Sequence, residues 1–415
     1  MAKVVLMKKL RMGVIGLGGR GYGMMRGLSK HPEVEIVAVC DEYQDRVDRA
    51  VEYLNERFDY SVFGDVDYKK ILDHEGVDAI YVATAWESHI RIAIDALKKG
   101  IPTALEVGGA YSVEECWELV RTWESTKTPF MFMENCCFGK DELLATSMAR
   151  KGLFGEIIHC SGAYSHDLRE EITSGNIKRH YRLRNYRLRN CENYPTHELG
   201  PIAKILDINR GNRIISVSSF ATKAAGLKSY IEENKLWEQD ETLANTEFAQ
   251  GDVVHTILTC AGGQTIVLKL DTTLPRAYSR ELNVRGTKGL YNMDSNSVFI
   301  DKKNEEGGFN ASANFKKFFG NASEYEDSLP DIWKNVTPEQ LKAGHGGMDY
   351  FELRCFIECV INGVEPPIDV YDAATWMAVS ALSEQSIKMG GAPVAMPDFT
   401  CGEWVRRQRR DVVEI

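Results

Sequence analysis

Between residues 11 and 135, short apolar runs alternate with amphipathic stretches. The runs MGVIGLG (12–18), EIVAVCD (35–41), AIYVAT (79–84), PTALEV (102–107) and FMFME (130–134) are almost continuously apolar, as parallel strands covered on both faces are. Helical periodicity fills the intervals, as in YQDRVDRAVEYLNERF and in HIRIAIDALKKG, where Gly100 is placed as a C-cap. Strands alternating with helices predict right-handed βαβ units and a doubly wound α/β sheet.

After about residue 150 the pattern changes. EIIHCSGAYSHD, RIISVSSFAT, DVVHTILTC, QTIVLKLD, RELNVRG and LYNMDSNSVFI read as longer strands, with turn signals such as AGG (261–263) between some of them. A large, mostly antiparallel open sheet in an α+β domain fits better than further βαβ units. DVYDAATWMAVSALSEQSIKMGG (369–391) predicts a helix starting near Asp372 and ending at Gly390. The polar, Gly- and Asn-rich segment 302–346 predicts loops. Two domains are expected, 1–136 and 137–415, as the length also suggests.

The first strand runs into Gly16-Leu17-Gly18-Gly19-Arg20-Gly21, which opens a helical pattern, and Asp41 closes the second strand. In this context the glycines predict a dinucleotide site of Rossmann type. Gly16 permits a tight turn, Gly18 lets backbone approach a pyrophosphate, and Gly21 lets helix pack on sheet. The helix N-terminus offers unpaired N–H groups to the phosphates. A carboxylate at Asp41 accepts hydrogen bonds from ribose hydroxyls and repels a 2′-phosphate, so NAD is expected rather than NADP.

A net charge of −10 argues against a nucleic-acid surface. No apolar run approaches the roughly 18 residues of a membrane span, and the first residues do not read as a secretory signal, so a cytoplasmic protein is expected. The ten cysteines include no CxxC and sit mostly in apolar segments, which predicts reduced, buried thiols. Scattered histidines with no HExxH give no metal site, and no GxSxG supports a serine hydrolase. A local repeat, YRLRN at 181–185 and 186–190, makes the most basic stretch of the chain. It is expected as a mostly solvated charged loop, the sharper reading being a lid whose arginines reach an anionic or polyhydroxyl ligand.

Candidate chemistry lies in the second half. Tyr164 and His166, two apart in a predicted strand, share one face of the sheet. Tyr194 and His197 flank the start of a predicted helix, with Pro195 in its first turn. With Arg182 nearby, these groups suit proton transfer to and from sugar hydroxyls.

Over nearly its full length the chain resembles the Gfo/Idh/MocA superfamily, and more narrowly glycoside hydrolase family 109, the NAD-dependent N-acetylgalactosaminidases. The resemblance rests on TAWESHIRIAIDALKKGIPTALEVGGA, EECWELV, MENCCF, KGLFGEIIHCSGAYSHDLR, HYRLR, YPTHELGPIA, DINRG, GHGGMDY and MPDFTCGEW. It implies Thr84, Trp86, His89, Glu106, Glu134 and Asn135 near the cofactor, and Glu134, Tyr164, His166, Arg182, Tyr194 and His197 as active-site positions. Ordinary sugar dehydrogenases of the superfamily carry Glu-Lys-Pro after the fourth strand. Here Glu106-Val107-Gly108 lacks that lysine, which disfavours a simple dehydrogenase. Glu198 stands where the family commonly has Gly, and Asn190-Cys191-Glu192-Asn193 differs from its usual Gly-Asn-Leu type of loop.

The implied reaction is redox-neutral: C3 of the sugar is oxidised by tightly bound NAD, the C2 proton and the C1 leaving group depart, water adds, and the hydride returns. In this scheme Tyr194 and His197 act at the C3 hydroxyl and Tyr164 near C2 and C1, with Arg182 lowering the proton affinity of Tyr164. The alternatives are a sugar or cyclitol dehydrogenase that releases NADH, and a silent NAD-binding regulator. An exposed face on the second sheet is expected to make the protein a homo-oligomer.

Overall fold

The computed structural model describes residues 9–303 and 317–413. Six parallel strands form the first sheet: β1 (Leu10–Ile15), β2 (Val34–Cys40), β3 (Phe63–Asp65), β4 (Ala79–Val82), β5 (Thr103–Glu106) and β6 (Phe130–Met133), in the order β3-β2-β1-β4-β5-β6. The strand order reverses between β1 and β4, which opens the crevice where such sheets take ligands. Every residue of β4, β5 and β6 is buried, as continuous apolar runs require. The five strands expected from the pattern are present. The three-residue β3, too short to register, was not anticipated.

The second sheet has eight strands: β7 (Ile157–Ser165), β8 (Ile214–Ala221), β9 (Val253–Cys260), β10 (Thr265–Asp271), β11 (Asn283–Gly286), β12 (Gly289–Asn292), β13 (Ser297–Ile300) and β14 (Val394–Ala395). They are ordered β13-β12-β11-β7-β10-β9-β8-β14, all antiparallel except β7 with β10. Alternation is clean in β9, where Val254, Thr256, Leu258 and Cys260 are buried and His255 and Ile257 exposed. LYNMDSNSVFI is therefore two strands rather than one. Met293–Asn296 turns between them, with Asn296 in the left-handed region (φ 46°), which asparagine tolerates better than most residues.

Three further expectations need correction. The long C-terminal helix is Val370–Lys388: Asp369 is its cap and Asp372 completes a capping box, so the start lies earlier than read. In the described part of 302–346 the chain makes short helical turns, Asn321–Ser328, Asp331–Lys334 and Pro338–Leu341, and 304–316 lie outside the described residues. The YRLRN repeat is not a solvated loop but a helix, Arg182–Leu188, that buries Arg182, Leu183, Asn185 and Tyr186. Tyr186 donates or accepts at 2.6 Å with Thr272, and just past the helix Arg189 is buried against Glu384 and the Ala110 carbonyl.

The chain returns to the first sheet near its end. Phe132 N–H, on edge strand β6, donates to the Ile368 carbonyl at 3.0 Å, and Trp376 packs beside Phe132. The helix Met348–Asn362 packs on the helix Gly19–Leu28, where Gly27 leaves room for Leu353. Nine of the ten cysteines are buried, Cys401 alone being exposed, and all ten are free. No helix among the described residues is long and apolar enough to cross a membrane.

Candidate active site

The glycine turn has the shape its sequence implies. Gly16 has φ 95° and lies so close to Ala83 and Thr84 that a side chain would strike their backbone, while one on Gly21 would strike the Gly16 carbonyl. Beside Gly18 and Gly19 the space is open: the nearest atom to a Cβ on Gly18 is Arg46 Nη1 at 3.8 Å, and none lies within 4 Å for Gly19. Gly18 caps the helix Gly19–Leu28 without a side-chain hydrogen bond, so its first N–H groups are left for a ligand. Asp41 accepts from Leu17 N–H at 2.7 Å and Tyr43 N–H at 3.1 Å. The buried Thr84 Oγ1 has no hydrogen-bond partner among the described residues. An open cradle, an uncapped helix start and a carboxylate at the end of β2 fit a dinucleotide.

Arg20, within the glycine turn, lies among carboxylates. It donates to Glu106 at 2.7 Å and to Asp349 at 2.7 Å, and Asn135 donates to the other Asp349 oxygen at 2.8 Å. Glu106 also takes the hydrogen bond of the Tyr81 hydroxyl. Arg20, Glu106 and Asn135 are thus brought together around Asp349, which comes from GHGGMDY and was not singled out. This network braces the cradle.

Trp86 and His89 open the helix Trp86–Lys98 and lie against Gly108, where any side chain would collide with both rings. The glycine that replaces the bulkier residue of Glu-Lys-Pro is therefore demanded by its neighbours. Burial pushes His89 down to about 3, so it is a neutral imidazole.

Across the crevice, Tyr164, Tyr194 and His197 form a triangle with ring centroids 4.7, 4.8 and 5.4 Å apart. Tyr164 is the last residue but one of β7, and His166 lies just beyond the strand rather than in it, the phenol oxygen 3.5 Å from His166 Nδ1. His197 stands in the first turn of the helix Thr196–Ile205, with Pro195 as the residue before it. That helix lies close to β7 because Gly162 leaves room for Glu198, and close to Glu134 because Gly200 has no side chain. His197 Nδ1 is 2.7 Å from Glu134 Oε1, and Glu134 also accepts from Cys136 N–H at 3.0 Å. Glu134, Cys136 and His197 place three potential metal-ligand atoms within 4.8 Å of one another, a proximity the hydrogen bonds already explain.

Arg182 closes the site. Nε donates to Glu171 at 2.8 Å, and the guanidinium carbon lies 5.1 Å from the Trp86 ring and 5.0 Å from Tyr194. Nη1 is buried without a partner among the described residues, a donor held for a ligand. Trp86 stacks on Tyr194 at 5.3 Å and meets Tyr181 at 4.7 Å, and Tyr278 sits 5.0 Å from His166. Glu171, Tyr181 and Tyr278 were missed. Only the first YRLRN copy offered a signal, for Tyr181.

Burial pushes both the Tyr164 and Tyr194 phenols above their usual range; at Tyr164 the Arg182 charge opposes this without reversing it. Tyr164 is therefore a phenol at neutral pH, against the expectation that Arg182 makes it a ready base. Burial lowers His166, keeping it neutral and able to accept a proton. Burial raises Glu134, but the His197 charge, the His197 hydrogen bond and the Cys136 N–H outweigh it and hold the carboxyl below its usual value.

Fold and cradle together define a dinucleotide-binding enzyme. Residues 10–133 match the oxidoreductase family with an NAD-binding Rossmann fold, and residues 138–406 match the C-terminal domain of glycosyl hydrolase 109. The chain belongs to glycosyl hydrolase family 109. It is 37% identical to a family 109 protein of Parabacteroides distasonis, over 96% of this chain and 89% of that one. It is 36% identical to an alpha-N-acetylgalactosaminidase of Tannerella forsythia, over 96% and 88%. Among solved structures, a levoglucosan dehydrogenase in complex with NADH and levoglucosan shares the fold with a TM-score of 0.70 at 16% identity, over 94% of this chain and all of that one. A myo-inositol 2-dehydrogenase of Lactobacillus plantarum does so at 0.64 and 18%, over 94% and 100%.

Proposed function

We propose that the protein is a redox-neutral glycosidase that holds NAD through its cycle and acts on an N-acetylgalactosaminide or a close relative. The observation that carries this reading is two separate side-chain pairs able to relay protons, Tyr164 with His166 at 3.5 Å and His197 with Glu134 at 2.7 Å, in one aromatic-walled crevice beside the dinucleotide cradle. A simple dehydrogenase needs one base at one hydroxyl. Oxidation followed by elimination needs proton handling at O3, at C2 and at the leaving oxygen.

Gly16, Gly18, Gly19, Gly21, Asp41 and Thr84 would hold the NAD, with Trp86 and His89 beside them, and NAD supplies a reversible hydride acceptor at C3. His197, steadied by Glu134, takes the O3 proton with Tyr194 aligned beside it, and returns it when the C3 alcohol is restored. Tyr164 passes protons between the sugar and the neutral His166. The C2 proton leaves by this route to His166 as the C1–O bond breaks, and the same relay returns a proton to the departing oxygen. Water then adds at C1 and a proton at C2. Arg182 Nη1 donates to a sugar oxygen and stabilises negative charge on the keto-sugar as it loses its C2 proton.

The test is turnover of nitrophenyl α- and β-N-acetylgalactosaminides, galactosides and glucosides, with nitrophenol release and NADH absorbance recorded together. Many turnovers per bound NAD without net NADH are expected. NADH accumulating without nitrophenol release would make the protein a dehydrogenase. The outer face of the second sheet carries exposed Phe220 and Ile257, and we assign it to a second copy of this chain in a cytoplasmic homo-oligomer.

A further inference from the structure

The far end of the cradle is covered from the second domain. Arg46 Nη1 lies 3.4 Å from Asp41 Oδ1 and is the atom nearest to the open side of Gly18. Its guanidinium thus stands between the carboxylate suited to ribose hydroxyls and the turn suited to phosphates. Its other nitrogen, Nη2, donates to the Lys178 carbonyl at 3.1 Å and the Arg179 carbonyl at 3.2 Å. Arg179 returns a two-pronged ion pair to Asp45, at 2.8 and 2.7 Å. The Tyr43 ring is flanked by both guanidinium carbons, 4.7 Å from Arg46 and 4.3 Å from Arg179. Arg179 holds φ 52°, in the left-handed region where a side chain is strained. Two residues on, Tyr181 packs on Trp86, and Arg182 reaches the sugar site.

We propose that residues 176–181 are a strap closed over the far end of the dinucleotide cradle and latched there by Arg46, Arg179 and Asp45. The chemistry matches the ligand. Arg46 brings a guanidinium to the open side of Gly18, where a dianionic diphosphate fits. The strap joins the two ligands mechanically: lifting it to free the dinucleotide also disturbs Tyr181 and Arg182 at the sugar end. A strap of this kind suits a cofactor that must stay bound while it is reduced and reoxidised, and in this respect the inference rests on the redox-neutral reading above. Any one exposed ion pair contributes little, so the closure comes from the carbonyl bonds, the ion pair and the stacked ring acting together.

The experiment is NADH release from the full-length protein without glycoside. The protein is loaded with NADH, chased with excess NAD and followed by nicotinamide fluorescence, for wild type, Arg179→Gln, Asp45→Asn and the double variant. Bound NAD after gel filtration is counted alongside, and melting temperature checks the fold. Release about 10-fold faster in each single variant is expected, and no faster in the double variant, because the pair acts as a unit. Release within twofold of wild type in Asp45→Asn and in the double variant overturns the strap. Should Arg179→Gln fail to fold, Asp45→Asn alone decides. Wild type that retains NADH but cleaves no glycoside supports the strap and removes the glycosidase reading. Wild type that cleaves glycosides while exchanging NAD freely overturns the strap alone.

Discussion

His197 Nδ1 and Glu134 Oε1 are 2.7 Å apart, although Glu134 follows the last strand of the first sheet and His197 stands on a helix that packs against the second. The bond engages Nδ1 and leaves Nε2 as the other ring nitrogen, and it ties the first sheet to the helix that packs on the second. Glu134→Gln keeps the volume and removes the charge. We expect kcat to fall about 100-fold with KM changed less than about threefold, as for loss of a group that orients a general base. Steady-state kinetics decides: a change confined to KM would make Glu134 a substrate-binding group instead.

His166 is held neutral by burial, below its ordinary 6.5. A base whose value is lowered stays competent as the pH falls, until that lower value is passed. The acid limb of kcat/KM should therefore have its midpoint below pH 6.5, and His166→Asn should remove that limb along with at least ~100-fold of the rate. A limb unchanged in the variant would assign it to another group.

Arg182 makes its bond to Glu171 and its aromatic stacking from one planar fork, with Nη1 to spare. A lysine cannot do all three. Arg182→Lys should raise KM roughly 10-fold and lower kcat, and the double-mutant cycle with Glu171→Gln should be strongly non-additive. Wild-type kinetics in Arg182→Lys would remove the guanidinium from the mechanism.

The two departures from the family pattern meet in the interior. Burial raises Glu192 to about 8, and burial followed by the Glu192 charge pushes Glu198 well above the carboxylate range. A carboxyl whose folded value is raised binds its proton more tightly when folded, so stability falls as pH climbs from about 4.5 through about 8. Glu198→Gln and Glu192→Gln should therefore melt higher than wild type at pH 8, by roughly 2–5 °C, and show little gain at pH 4.5. A gain equal at both pH values would point to packing rather than to the buried charge.

The assignment of the outer sheet face to a second copy makes a simpler demand. Ile257→Lys, on an exposed position of β9, should shift the protein to smaller mass in light scattering while its helices and strands remain. An unchanged mass would take the interface elsewhere.

Much of this is legible in the sequence. Strands β1, β2, β4, β5 and β6 declared themselves by unbroken apolar runs, and Tyr164, His166, Tyr194 and His197 by spacings that fold into contact. What escaped were partners joined only by the fold. Glu171 and Tyr278 have no local pattern, and Asp349 reaches Arg20 from over three hundred residues away. The Arg182–Leu188 helix is masked in the sequence because its charge density hides a helical period. Arg182, Leu183, Asn185, Tyr186 and Arg189 are all buried, a helical face whose arginines find acids and carbonyls rather than water.

The bond between Phe132 and Ile368 bears on how the protein is made. A ribosome delivers the six strands of the cofactor sheet early, and an ordinary N-terminal domain would fold as it emerged. Here the last edge of that sheet waits for a segment from the far end of the chain, and Trp376 and Met377 complete its wall later still. A nascent chain stalled before them would present an unpaired strand edge and an apolar flank to the cell's chaperones. Native completion of the first sheet thereby waits on a segment made long after its last strand.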